Sequence, residues 1–274
     1  MSYKRLLTIQ DISCVGQCSL TVALPILSAC GLETAILPSA VLSTHTVGFT
    51  GYTVRDLSAD MPAIQAHWLR EGIRFDAFYT GYLGSAEQID IVLDIMQTLG
   101  TTQAPRIVDP AMADFGSLYP AFDMGFVAKM RELCVKADVI VPNITEASLL
   151  TGIGYREEYD RSYIEGMLDA LQDIGCATVV LTGVGFTPDT LGVMVREKGQ
   201  SCYYKHKRID RACHGTGDVY ASVCVGAMMR GHSVAESARL AADFTLRCIE
   251  NTVDDREHWY GVKFEPFLGE LASL

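Results

Sequence analysis

Between residues 212 and 231 the chain reads ACHGTGDVYASVCVGAMMRG, with Gly215, Thr216, Gly217 and Asp218 directly before a long apolar run. From Val219 to Met229 almost every residue is apolar or small, so a helix there has no face for water and must be buried all round. The first turn of any helix carries unpaired N–H groups and the positive end of the macrodipole. Glycines at 215 and 217 would let a ligand approach that backbone with no Cβ in the way. The chemistry this suits is the holding of an anion beside a carboxylate. Transfer of a phosphoryl group to an alcohol fits it, because a loose transition state lets the nucleophile's proton leave late, and a weak, aligned acceptor is enough. The same positive end should stabilise ionised Asp218, which predicts a pKa that is not raised. A competing reading makes GTGD a loop in which Thr216 caps a core helix.

Such a hole works only where the fold brings other groups to it. Short apolar runs read as strands at Arg5–Ile9, Thr34–Pro38, Ala77–Thr80, Arg106–Asp109, Val139–Val141 and Thr178–Thr182. Helical patterns lie between and beside them, at Ser19–Cys30, Ala63–Glu71, Ala86–Leu99, Phe126–Lys136, Glu146–Leu150 and Tyr163–Asp173. The alternation predicts an α/β fold with a mostly parallel central sheet flanked by helices on both faces. Leu191–Arg196 and Cys202–Lys207 read as an edge hairpin, followed by helices at Val219–Arg230 and Val234–Glu250. No linker or repeat divides the chain, so 1–274 is expected to form a single domain. Ligands of open parallel sheets bind beyond the carboxyl ends of the strands. Four strands end in residues that could act there: Ile9 before Asp11, Thr80 before Tyr82, Val108 before Asp109, and Val141 before Asn143.

Composition narrows the partners. Over 274 residues, 49% are hydrophobic and 20% charged, which allows a sizeable core and argues against disorder. A net charge of −11 with no Lys/Arg block argues against nucleic acid, while small anions remain open to a few local donors. The nine cysteines include no CxxC pair and mostly sit among apolar neighbours, as free thiols do in a reducing compartment. Cys14 and Cys18 read as packing residues and Cys213 as a small loop residue. No HExxH or Cys/His zinc spacing occurs, and no apolar run approaches the roughly 20 residues of a membrane span. The opening MSYKRLLTIQD reaches a carboxylate before a signal-peptide core could form, so a cytoplasmic location is expected, with no membrane partner.

Several motifs carry a resemblance. Besides GTGD, the chain has IQD at 9–11, STHT at 43–46, GYLGSAEQ at 81–88, DPAMADFGSLY at 109–119 and VPNITEASLLTG at 141–152. Together they resemble the ribokinase-like superfamily, and within it the pyridoxal/pyridoxamine (vitamin B6) kinases, from residue 5 to about 250. The resemblance implies a ribokinase-like fold and ATP-dependent phosphorylation of the 5′-hydroxymethyl group of a B6 vitamer. It makes Asp218 the catalytic base and Gly215, Thr216 and Gly217 the anion hole. It implies that Asp109, Asn143 and Glu146 order Mg²⁺ and the ATP phosphates, mostly through water, as suits a cation that keeps several waters. Asp114 and Thr182 match positions beside a monovalent cation or the nucleotide phosphates. Asp11, Thr46 and Val47 match ring-contact positions, with His45 and Tyr82 as neighbours. A homodimer is also implied.

The chain departs from that pattern in places. Asp11 stands where a serine usually follows the glutamine, which suggests a relative preference for pyridoxamine or pyridoxine over pyridoxal. Lysine is common at the position of Thr182 in one branch, and the segment 205–213 does not align with the family's adenine-side loop. Two rivals remain. One is a hydroxymethylpyrimidine kinase, which uses the same anion-hole logic; the other is a non-catalytic relative that holds pyridoxal phosphate, against which Asp218, Asp109 and Glu146 argue. A dinucleotide-binding dehydrogenase is disfavoured, since no GxGxxG follows the first strand.

Overall fold

Branched and aromatic runs such as RLLTIQDIS and AFYT are buried on both sides, as strands covered by helices must be. The computed structural model describes residues 3–210 and 213–274. Its strands are β1 (Arg5–Ser13), β2 (Glu33–Leu42), β3 (Val54–Asp56), β4 (Ala77–Thr80), β5 (Arg106–Val108), β6 (Ala113–Asp114), β7 (Ser117–Leu118), β8 (Val139–Ile140), β9 (Thr178–Val184), β10 (Thr190–Glu197) and β11 (Gln200–Lys207). Nine of them form one sheet in the order β11-β10-β9-β8-β5-β4-β1-β2-β3, and β6 and β7 form a separate two-stranded sheet. The six central strands, β2, β1, β4, β5, β8 and β9, are parallel. The antiparallel β10–β11 hairpin extends one edge and β3 the other. The edge hairpin matches the sequence expectation. The strand β3 and the β6–β7 pair do not, being too short for any periodicity to mark them.

The helices are α1 (Leu20–Ala29), α2 (Met61–Arg70), α3 (Ala86–Leu99), α4 (Met124–Val135), α5 (Ile144–Thr151), α6 (Arg161–Asp173), α7 (Thr216–Met229), α8 (Val234–Thr252) and α9 (Leu268–Leu271). They divide between the two faces. Leu7, Ile9, Phe78 and Val108 meet side chains of α2 to α6 on one face. Leu6, Tyr79, Ile107 and Val180 meet α1, α7 and α8 on the other. Helix α7 is buried at every residue from Val219 to Ala227, as its uniform apolar sequence requires. No helix among the described residues is long and apolar enough to cross a membrane.

Two irregularities lie at the carboxyl rim. Between Gln10 and Ile12 the register with β2 shifts, so Ser39 and Ala40 stand against Asp11 alone. At the other end, Gly183 interrupts the pairing of β9 with β10 just after Thr182. Bulges of this kind re-aim side chains and are common beside functional sites.

Candidate active site

Helix α7 begins at the rim with Gly215 in the left-handed region (φ 75°) and no side-chain cap. A Cβ at Gly215 would overlap the Gln17 carbonyl oxygen, so packing and backbone angle both demand glycine there. At Gly217 a Cβ would meet nothing within 4 Å. Only Gly217 therefore leaves the open approach to the backbone that its sequence suggests for both glycines. The Thr216 hydroxyl donates back to the Cys213 carbonyl (3.2 Å) rather than capping the helix. The first turn of α7 thus has no side-chain cap.

Asp218 departs from its expectation. It is part-exposed, yet enough protein surrounds it to push its pKa up to about 7. Burial is the main cause and the Asp11 charge adds to it; the Ser19 N–H and the Cys18 thiol pull the other way. Loss of water thus outweighs the helix dipole. A carboxyl with that pKa is a better base at neutral pH than an ordinary aspartate.

Asp11 is buried and accepts from the Ser13 hydroxyl (3.0 Å); burial raises its pKa. Tyr82, half-buried next to β4, stacks obliquely on Phe122 with centroids 5.4 Å apart, and its hydroxyl senses the Asp11 charge. Thr46 and Val47 are exposed on the 43–53 loop. His45 is buried, with both ring nitrogens engaged: Nδ1 accepts from the Val47 N–H (3.2 Å), so Nε2 carries the proton and donates to the Tyr260 carbonyl (2.7 Å). That bonding makes His45 a strut of the loop.

Across the crevice the polar groups are tied to the backbone. Asp109 continues β5, its N–H donating to the Thr80 carbonyl (2.9 Å). Its pKa is raised well above the carboxylate range by loss of water and by the charges of Glu146 and Asp218. Asn143 and Glu146 form a capping box on α5: Asn143 Oδ1 accepts from the Glu146 N–H (2.9 Å), and Glu146 Oε2 accepts from the Asn143 N–H (2.8 Å). Glu146 Oε1 accepts from the Met112 N–H (3.1 Å), and Asn143 Nδ2 donates to the Ala113 carbonyl (2.8 Å). Both residues thus anchor the 109–114 segment. Burial raises the pKa of Glu146 despite those N–H groups. Thr182 pairs with Asn143 across an isolated bridge, and its hydroxyl donates to the Pro142 carbonyl (3.3 Å). Asp114 lies exposed at the β6–β7 turn, accepting from the Phe115 N–H (2.9 Å). Among the described residues no three His, Cys, Asp or Glu side chains converge as a metal cage. The donor set is hard oxygen, as a divalent cation held through water and phosphate would need.

The family model for phosphomethylpyrimidine kinase matches residues 24–262. A pyridoxal kinase structure from Lactobacillus plantarum superposes with a TM-score of 0.92 at 35% identity, covering 99% of this chain and 98% of that one. A Bacteroides thetaiotaomicron protein described as a phosphomethylpyrimidine kinase, crystallised with pyridoxal, gives a TM-score of 0.93 at 35% identity over 98% and 96%. The hydroxymethylpyrimidine/phosphomethylpyrimidine kinase of Bacillus subtilis is 28% identical over 219 residues, 78% of each chain. The chain belongs to the phosphomethylpyrimidine kinase family. Pyridoxal kinases are among its relatives, its fold is ribokinase-like, and it is a phosphotransferase with an alcohol acceptor.

Several groups around this kinase's crevice carry no signal that sequence reading used. Cys18, read as packing, lies against Asp218, whose charge helps to raise the thiol's pKa after burial. Ser19 holds a positive φ of 52° with a non-glycine side chain, which is costly and recurs at functional sites. Tyr119 ends the DPAMADFGSLY motif and is surrounded by Glu146, Asp114, Asp109 and Asp218, which with burial raise its pKa. Its place in that motif was the available clue. The segment 205–213 gave no adenine-side residue, and residues 211 and 212 of it lie outside the described residues.

Proposed function

We propose that the chain transfers the γ-phosphoryl group of ATP to the 5′-hydroxymethyl group of a B6 vitamer, giving the 5′-phosphate and ADP. The observation that carries this reading is the Asp218 carboxyl in the first turn of an uncapped, buried helix at the sheet's carboxyl rim, where burial pushes its pKa up to about 7. Asp218 would accept the hydroxyl proton as the oxygen attacks phosphorus in line and the bond to the β-phosphate oxygen breaks. The N–H groups of the Gly215–Gly217 segment would hold the charge on the transferring group. Asp11, Thr46, Val47 and Tyr82 would orient the vitamer, with His45 fixing the loop that carries two of them. Asp109 would face the phosphates, Asn143 and Glu146 would hold the 109–114 segment in place, and Thr182 and Asp114 would line the phosphate or monovalent-cation side. Asp109, held with Asn143 and Glu146 on the same rim, would order Mg²⁺ when it binds with ATP, and the ion would supply positive charge against the phosphates.

Pyridoxal in the crystal of the Bacteroides relative supports the vitamer reading. Hydroxymethylpyrimidine is the second reading, favoured by the family model and the Bacillus relative. ADP release with pyridoxal, pyridoxine, pyridoxamine and hydroxymethylpyrimidine, with and without Mg²⁺, tests both. Turnover of hydroxymethylpyrimidine alone would overturn the vitamer assignment. The carboxylate at Asp11 should favour pyridoxamine or pyridoxine by charge-assisted pairing. An Asp11→Ser variant with unchanged relative kcat/KM among the vitamers would refute that preference.

A further inference from the structure

The segment 254–265 lies far in sequence from every motif above, yet it touches the three loops around the proposed acceptor site. Its Glu265 Oε1 accepts from Gln17 Nε2 (2.7 Å), and His258 Nε2 bonds Gln17 Oε1 (2.8 Å). That same Gln17 presses its carbonyl on Gly215. Tyr260 accepts from His45 through its carbonyl. Trp259 stands among all of these. Its ring lies 4.7 Å from that of Phe49 and 6.4 Å, edge to face, from that of His214, the residue before the anion hole. Gly48 permits the approach, since a Cβ there would come within 2.6 Å of Trp259 Cζ3.

Trp259 is therefore held by neighbours from both the 45–49 loop and the 213–217 loop. Despite this it remains 41% exposed. A core tryptophan would be covered, and a surface one would not be clamped from two sides. Its two clamping neighbours adjoin residues of the proposed site: Gly48 follows exposed Val47, and His214 precedes Gly215 and the helix start that carries Asp218. We propose that Trp259 is a specificity-determining wall of the acceptor site, covering the heteroaromatic ring of the alcohol substrate. This rests on the acceptor side proposed above.

The chain has only two tryptophans, and Trp68 packs edge to face on Phe75 at 5.4 Å, away from the crevice. In a Trp68→Phe background all tryptophan emission therefore comes from Trp259. Titrating pyridoxine into that protein without ATP should quench the emission saturably. Trp259→Ala should raise KM for the acceptor about tenfold, the scale of one aromatic contact, with KM for ATP changed less than twofold. Trp259→Phe should recover most of the loss. An unchanged acceptor KM in Trp259→Ala would overturn the proposal. So would equal rises in both KM values that Trp259→Phe does not relieve, because Trp259 would then be a structural staple. If Trp259→Ala fails to fold, the emission titration and the phenylalanine variant decide. Wild-type turnover, measured first, is a separate check: no turnover of any of the four alcohols defeats the acceptor reading itself, whereas turnover with unchanged acceptor KM in Trp259→Ala defeats only the role of the tryptophan.

Discussion

The two sides of the crevice are built by different means. On the side of Asp109, the side chains of Asn143, Glu146 and Thr182 bond backbone groups no more than 40 residues away, through a capping box and strand extensions. On the side of His45 and Trp259, hydrogen bonds of Gln17 and His45 to the 258–265 segment span 215 to 248 residues of sequence, and ring contacts of Trp259 add to them. Backbone capping fixes a position whatever its distant neighbours are, whereas the other side depends on distant segments meeting. Substitutions should therefore separate the two: losses on the first side should fall on ATP, and losses on the second on the acceptor.

Asp218 sits where the sides join, and its loss should be the largest. Asp218→Asn should bind both substrates yet lose about a thousandfold in kcat, within the 10²–10⁴ range of a removed base. A loss below tenfold, with binding intact, would mean that another group takes the proton. The two glycines of the helix start come next. Gly215→Ala must push Gln17 aside and adopt a left-handed backbone, so it should lower Tm by several degrees and reduce kcat about a hundredfold. Gly217→Ala has open space and should keep the wild-type Tm, yet lose about tenfold in kcat because its methyl group stands in the phosphate approach. Thermal melts beside steady-state rates distinguish these outcomes.

Glu146→Ala would leave the Met112 and Asn143 N–H groups without their carboxylate, loosening the 109–114 segment. KM for ATP should rise about tenfold, with KM for the vitamer within twofold. A matching rise in both would blur the proposed division. The smallest effect is on stability with pH. Asp218 has a folded pKa of about 7 against an ordinary 3.8, so the native state binds the proton more tightly than the unfolded one. Its contribution to stability is fully present below pH of about 4 and is lost as pH rises through about 7. Asp218→Asn carries no such titration, so its Tm relative to wild type should climb by a few degrees between pH 5 and pH 8. Wild-type kcat should rise over the same interval as the base ionises. A Tm difference independent of pH would contradict the buried, raised carboxyl.

Much of the frame was legible in the residues. Uniformly apolar α7 had to be buried, and strands ending in Asp109 and Asn143 had to share a rim. The capping box of Asn143 and Glu146 is written in the Asn-x-x-Glu spacing. The pKa of Asp218 was not legible, because local sequence shows the helix start but not the Asp11 carboxyl brought beside it or the protein that displaces water. Cys18 beside Asp218, and Trp259 beside Gly48, have the same character: two segments meet only after the sheet has formed. The 2-residue strands β6 and β7 are below any periodic signal, and only their pairing makes them strands.

Helix α7 has neighbours on all sides, and this limits how the molecule can respond to its substrates. A rod enclosed in this way cannot tilt or slide to grip a phosphate without disturbing the packing on both sides of it. Its dipoles are already aimed before anything arrives, and the reaction spends no reorganisation on them. Whatever tightens around the bound molecules has to travel to that fixed point.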